Sequence, residues 1–273
     1  MKNSTFGHSH GVLFLLMLVV LLPTLCYCYE TSKATYYGSP SCKGTPLCKP
    51  KTGNQVSNDE STAGACGYGE YGKNINSGRV ASVSKLFRAG LACGACYKVT
   101  CLAAECSENG TTVVLTDRAT NSDFDFIFSI QALEGMAKRG MEEQLKAYPQ
   151  FNMTYLRVPC NFPGYNLMLK VHEDSRYPDY LAMIFYYQSG LHDITSVQIF
   201  EETNLIWRAC KRSYGAVWGM TNPPRSNDLT VRFLAAPSDP TSNVTEVKWV
   251  VVPRLIPLAW SPGALYDTNF HLA

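Results

Sequence analysis

The runs ACYKVTC (Ala95–Cys101) and TTVVLTD (Thr111–Asp117) carry β-branched and aromatic residues at near-alternating positions, which is the period of a strand. A third run of this kind, KATYY, occupies residues 33–37. Glycine-rich turns break the segments apart, so the first half of the chain reads as mostly β. One segment departs from that texture. In SIQALEGMAKRG, Ser129 can cap a helix whose face collects Ile130, Leu133, Met136 and Ala137 before Gly140 ends it. A weaker second helix is expected at Glu142–Ala147.

After Cys160 the Pro-Gly turn in NFPGY changes the pattern. Strand-like runs then follow closely: NLMLKV, LAMIFYY, SVQIF, LIWRAC, AVWGM, LTVRFLA and EVKWVVV. Strands at this spacing, with no helical segment between them, suit a β-sandwich. The expected organisation is a leader at residues 1–28, a first domain at 29–160, a short linker at 161–165 and a sandwich with a C-terminal tail at 166–273.

Of 273 residues, 46% are hydrophobic and 17% charged, which suits one large or two medium globular domains with a sizeable core. The formal charge is +2 with no basic block, which points away from nucleic acid as a partner. The apolar run GVLFLLMLVVLLP (Gly11–Pro23) is too short for a membrane span, and Cys26 and Cys28 fit signal-peptidase positions. The reading is a secretory signal, and no membrane partner after its removal. Export makes the surroundings oxidising, so the nine cysteines beyond the leader are expected mainly in disulfides. A zinc knuckle is the rival for Cys93 and Cys96 in CGAC, but no second CxxC or HxxxH pair accompanies it. Sequons at Asn109, Asn152 and Asn243 fit export and are expected on surface loops. Nothing asks for a metal or a cofactor; His172 and His192 stand alone.

The ordered set ATYYGSPSC, GACGYGEYG, CGACYKVTC, VVLTD, FDFIFSIQALEGMA, YLRVPC, PGYNLMLKVHEDSRYPDYLA, YGAVWGMTNPPR and WSPGALYDTNFHL resembles the plant expansin-like proteins. These belong to a superfamily that includes group 1 grass-pollen allergens. The resemblance covers nearly all of the chain after the leader. It implies a mainly β architecture: a six-stranded double-psi β-barrel, then an immunoglobulin-like β-sandwich related to family 63 carbohydrate-binding modules. It also implies disulfides Cys66–Cys93, Cys96–Cys160 and Cys101–Cys106. Cys42 and Cys48 are left to close a local loop, with Cys210 unpaired. The segment from Leu47 to Ser61 is longer than the family pattern and reads as a polar surface loop.

The barrel of this family resembles that of family 45 endoglucanases, which frames the question of cutting. Inverting hydrolysis needs an acid and a base on opposite faces of the sugar, roughly 6.5 to 9.5 Å apart. The family acid corresponds to Asp125, but Gly38 stands at the position of the base, so no hydrolysis is expected. The resemblance makes Thr35, Asp117 and Asp125 the lining of a glycan groove. Two groove positions depart from it, with Asp123 where a histidine is usual and Ala119 where a tyrosine is usual. Trp207, Tyr214 and Trp218 are candidates for an aromatic platform, because sugar rings stack their C–H faces on flat side chains. Arg208, Lys211 and Arg212 would add a small positive patch favouring acidic pectic polymers. Trp249 and Trp260 read as packing residues.

The expectation is a monomeric, secreted cell-wall protein that binds cellulose, xyloglucan or other matrix glycans and loosens the wall without hydrolysis. Two alternatives stay open: a wall-binding or allergen-like protein without loosening activity, and a glycan-cleaving enzyme of the family 45 or lytic transglycosylase type.

Overall fold

The protein is represented by a computed structural model that describes residues 29–37, 64–119, 124–237 and 247–272. The leader, Gly38, Cys42, Cys48, the segment from Leu47 to Ser61, Asp123 and Asn243 lie outside the described residues.

Six strands close into a barrel: β1 (Glu30–Tyr36), β2 (Val80–Val83), β3 (Cys96–Cys101), β4 (Thr111–Arg118), β5 (Phe126–Phe128) and β6 (Phe151–Val158). Their order around it is β1-β5-β2-β4-β3-β6. β1 runs parallel to β5 and β2 parallel to β4, while the other neighbours are antiparallel. Inward positions carry Ala34, Ala81, Val83, Val99, Val113, Leu115, Phe126, Phe128 and Met153, all buried. This is the double-psi barrel that the resemblance implied. The three strand runs legible in the first half are β1, β3 and β4. β2 and β5 span only four and three residues, too few to display a period.

Among the described residues three short α-helices accompany the barrel: α1 (Gly69–Asn74), α2 (Ile130–Met136) and α3 (Glu142–Lys146). The buried Ser129 caps α2, its hydroxyl accepting from the Ala132 N–H at 3.1 Å. The same oxygen accepts from the Val80 N–H and donates to the Gly78 carbonyl, which ties the helix to the start of β2. α2 ends at Met136, short of Gly140, because Ala137 turns extended and bridges to Cys106.

The second half forms two sheets. One has the order β10-β9-β13-β14, built from β9 (His192–Glu201), β10 (Ile206–Ala209), β13 (Leu229–Pro237) and β14 (Lys248–Ile256). The other has the order β11-β12-β8-β7-β15, from β7 (Met168–Val171), β8 (Tyr180–Tyr186), β11 (Lys211–Tyr214), β12 (Val217–Thr221) and β15 (Leu265–Asp267). Between them lies one buried cluster that includes Leu181, Phe185, Val197, Trp218, Phe233 and Trp260. The result is the immunoglobulin-like sandwich.

Disulfides join Cys66 with Cys93, Cys96 with Cys160, and Cys101 with Cys106, the three pairs of the family pattern. The two cysteines of CGAC therefore serve different bridges. Among the described residues no cluster of His, Cys, Asp and Glu has the makings of a metal site. Cys210 is a free, buried thiol whose pKa burial pushes up to about 12.

Barrel and sandwich share a buried seam of Cys66, Tyr68, Cys93, Ala182, Ile184, Tyr186, Ala216 and Val217. Tyr71 of the barrel stacks on Tyr186 of the sandwich at 3.8 Å. Asp193, also buried, takes Arg88 at 2.6 Å and Arg157 at 3.2 Å. Removing one partner of such a buried cluster leaves charge without compensation. Asp193→Ala is therefore expected to lower the urea-unfolding free energy by about 3 kcal/mol with the disulfides intact. A loss within error of zero would show that the ion cluster does not support the seam.

Candidate functional site

Residues paired across a sheet carry their side chains on the same side. The register runs Thr35 to Ile127, Ile127 to Ser82 and, past a bulge between Ala81 and Ser82, Ser82 to Asp117, so one row crosses β1, β5, β2 and β4. Ala34, Phe126 and Ala81 next to this row point into the core, which leaves the row itself on the outer wall. Three inter-strand steps separate Thr35 from Asp117, roughly 14 Å along the wall. The Thr35 hydroxyl donates to the Pro149 carbonyl at 2.6 Å.

Asp117 does not reach solvent. Its Oδ1 accepts from the N–H groups of Ala65 and Arg118, each at 2.7 Å. Oδ2 is buried and has no hydrogen-bond partner among the described residues. Burial outweighs the two N–H donors and pushes the carboxyl from 3.8 up to about 7. The segment above it closes this tightly because Gly64 sits at φ +65, where a Cβ would stand 3.1 Å from the Thr116 carbonyl. Tyr37 completes the cluster through its hydrogen bond to Ser82, its phenol held above its usual range by burial. Asp117, expected in the lining of the glycan groove, lies beneath the turn at residues 64–67.

Asp125 is placed differently. Its N–H donates to the Lys33 carbonyl and its carbonyl accepts from the Ser84 N–H, so the backbone is pinned between β1 and the end of β2. The carboxylate accepts from the Ser32 hydroxyl at 2.7 Å and the Ser84 hydroxyl at 3.4 Å, with Lys85 Nζ at 3.8 Å. It opens onto a cleft of about 550 Å³ lined also by Thr31, Lys33 and Asn152. Asp125 is the only carboxylate among the described residues that line this cleft. The lining can offer one carboxylate, one carboxamide, two hydroxyls and two ammonium groups to a polyol.

The three platform candidates do not form one row. Trp207 lies on β10 of one sheet, half-buried, with Phe200 tilted against it and the Arg232 guanidinium 4.1 Å from its ring. Trp218 is buried in the sandwich core under Arg212. Tyr214 belongs to the other sheet and is 40% exposed, its hydroxyl donating to Asp174 at 2.9 Å. Burial and the Asp174 carboxylate hold this phenol above its usual range. The chain crosses from one sheet to the other at Cys210, so residues close in LIWRACKRSYGAVW end on different surfaces.

Tyr180, which sequence reasoning passed over, stands beside Tyr214 through a 3.0 Å hydrogen bond to Ser213. Gly219 makes room for it, since a Cβ there would fall 2.3 Å from the Tyr180 hydroxyl. Of the basic patch, Arg208 bonds Glu201 and two backbone carbonyls, and Arg212 bonds the carbonyls of Gly90, Ile194 and Gly215. Both are structural, and Lys211 alone stays exposed. Trp260 is buried as expected, whereas Trp249 is 40% exposed with Arg232 at 4.4 Å from its ring.

Residues 167–257 match the family profile described as the Expansin C-terminal domain. Expansin-like B1 of Arabidopsis thaliana is 42% identical over 270 residues, covering 97% of this chain and 99% of the relative. The chain belongs to the expansin family. Expansin-like B1 of Oryza sativa subsp. japonica is 35% identical, covering 89% of this chain and 88% of the relative. Expansin-B3 of the same species is 30% identical, with coverage of 87% and 82%. A crystal structure of the Clavibacter michiganensis expansin superposes with a TM-score of 0.60 at 16% identity, covering 90% of this chain and 98% of that one. A variant of that bacterial expansin, crystallised with cellohexaose, superposes equally well. The barrel-plus-sandwich fold is therefore shared with the bacterial expansin.

The Asp117 environment carries a pH signature. An unfolded aspartate titrates near 3.9, so between about pH 4 and pH 7 the folded state holds a proton that the unfolded state has released. Stability should fall as pH rises through this window, by up to about 4 kcal/mol from this group. In Asp117→Asn that contribution should vanish; urea unfolding at pH 4.5 and 7.5 measures it, and equal slopes in the two proteins would refute it.

Proposed function

We propose that this expansin-family protein is secreted to the plant cell wall, binds wall polysaccharide and loosens it without breaking glycosidic bonds. The observation that carries the reading is the single fixed carboxylate of Asp125, held by Ser32 and Ser84 at the mouth of a polar cleft. A carboxylate with its backbone pinned accepts hydrogen bonds from glycan hydroxyls at little cost in ordering, and so competes with contacts between the polymer chains. Inverting hydrolysis asks for a second carboxyl group on the opposite face, and none of the described cleft residues supplies it. The cellohexaose held by the bacterial relative supports a β-glucan as one substrate class. Tyr214, with Tyr180 at its side, offers an exposed aromatic surface for sugar stacking on the sandwich.

Asp125→Asn should abolish the extension of heat-inactivated wall strips under constant load, with no new reducing ends released by either protein. Extension by the variant at the native rate would overturn the role given to Asp125. Strips that bind the native protein and yet fail to extend would leave a wall-binding protein without loosening activity.

Truncating a stacking residue at a binding surface costs about 1.4 kcal/mol. Tyr214→Ala should therefore weaken retention on insoluble wall polysaccharide about tenfold, read from depletion isotherms. Unchanged retention would remove Tyr214 from the binding surface.

A further inference from the structure

The sequon Asn152-Met-Thr was expected on a surface loop, yet Asn152 sits within β6. Phe151 and Met153 on either side are buried in the barrel core, so the exposed Asn152 points outward. It pairs with Lys33 of β1, and the Lys33 carbonyl receives the Asp125 N–H. Asn152 and Asp125 are thus two strand spacings apart, about 10 Å, and line the same cleft. The Asn109 sequon differs: it is exposed on the turn before β4 and is no part of that cleft.

We propose that Asn152 carries an N-linked glycan whose first sugars lie across the Asp125 cleft, so that the protein's own glycan competes with wall polysaccharide for it. The proposal rests on the secretory part of the function proposed above. In the modification the Asn152 amide nitrogen bonds to C1 of a sugar from a polyprenyl-pyrophosphate-linked oligosaccharide. The C1–oxygen bond to pyrophosphate breaks, polyprenyl pyrophosphate leaves with the electron pair, and the amide gives up a proton. Two or three linked sugars span the 10 Å separation, and their hydroxyls meet Ser32, Lys33 and Asp125, groups that suit any polyol. Access to the cleft is then set by how often the glycan lies elsewhere. A glycan resting there about nine-tenths of the time lowers apparent affinity about tenfold.

The test uses the full protein secreted from plant cells. Mass spectrometry before and after enzymatic deglycosylation should show the glycan on Asn152; an unmodified Asn152 overturns the proposal. Amine acylation then reads the shielding without relying on polysaccharide binding. Lys33 and Lys85 should react several-fold faster after deglycosylation, while Lys248 on the sandwich keeps its rate. Unchanged rates at Lys33 and Lys85 overturn the occlusion. Thr154→Val, which removes the sequon and keeps Asn152, should match the deglycosylated protein, and Asn109→Gln should match the native one. If a variant is not secreted, the deglycosylated native protein still decides. Loss of wall extension in Asp125→Asn is read separately, so either idea can fail alone.

Discussion

The turn at residues 64–67 is held from both domains at once. On the barrel side, the Ala65 N–H binds Asp117 and Cys66 is bridged to Cys93. On the sandwich side, the Ala216 N–H donates to the Cys66 carbonyl at 3.0 Å, and His172 donates from Nε2 to the Gly67 carbonyl at 3.1 Å. The Asp174 N–H occupies Nδ1 of the same imidazole, which places the ring proton on Nε2. The Tyr214 ring lies against Gly67 so closely that a Cβ there would meet it at 3.1 Å and Val217 at 2.5 Å. One four-residue turn thereby seals a barrel carboxylate, seats the exposed Tyr214 and fixes the seam between them.

The Asp193 cluster and the Tyr71–Tyr186 stack reinforce the same seam from other elements. Buried ion pairs gain little net energy, but the geometry they demand is narrow. Apolar contact at Ile184, Tyr186 and Val217 supplies the non-directional part of the association. Gly90 and Gly215 allow the backbones of the two domains to touch; a Cβ at Gly90 would fall 2.1 Å from the Gly215 carbonyl oxygen. With the seam fixed, the two aspartates of the barrel take separate roles. Asp117 is a sealed carboxyl whose pKa burial raises, and Asp125 is a partly exposed acceptor on a cleft.

Local sequence pattern carried far into the fold, although the eight-residue β6 showed no clear alternation and went unread. β1, β3 and β4 were legible, as were the seven runs of the sandwich and the Ser129 cap. β2, β5 and β15 escaped because three or four residues cannot establish alternation. β11 was hidden in a basic stretch that read as a turn between strands. The site was less legible than the fold. Asp125 stood out by motif, but nothing local announced that Asp117 would be covered, since the cover comes from a turn some fifty residues earlier.

By itself the sequence determined the β-rich class, the capped helix and, through its resemblance, the family and its three disulfides. Those properties follow from side-chain period, from turn chemistry and from ordered motifs, all of which are written along the chain. The tertiary structure alone decided which strands became neighbours, and so which side chains share a surface. It separated Trp207 from Tyr214 by sending their strands to different sheets, buried Trp218 between them, and brought Asn152 to the cleft of Asp125 through β1. Exposure and neighbourhood are products of non-local pairing, and non-local pairing leaves no local trace.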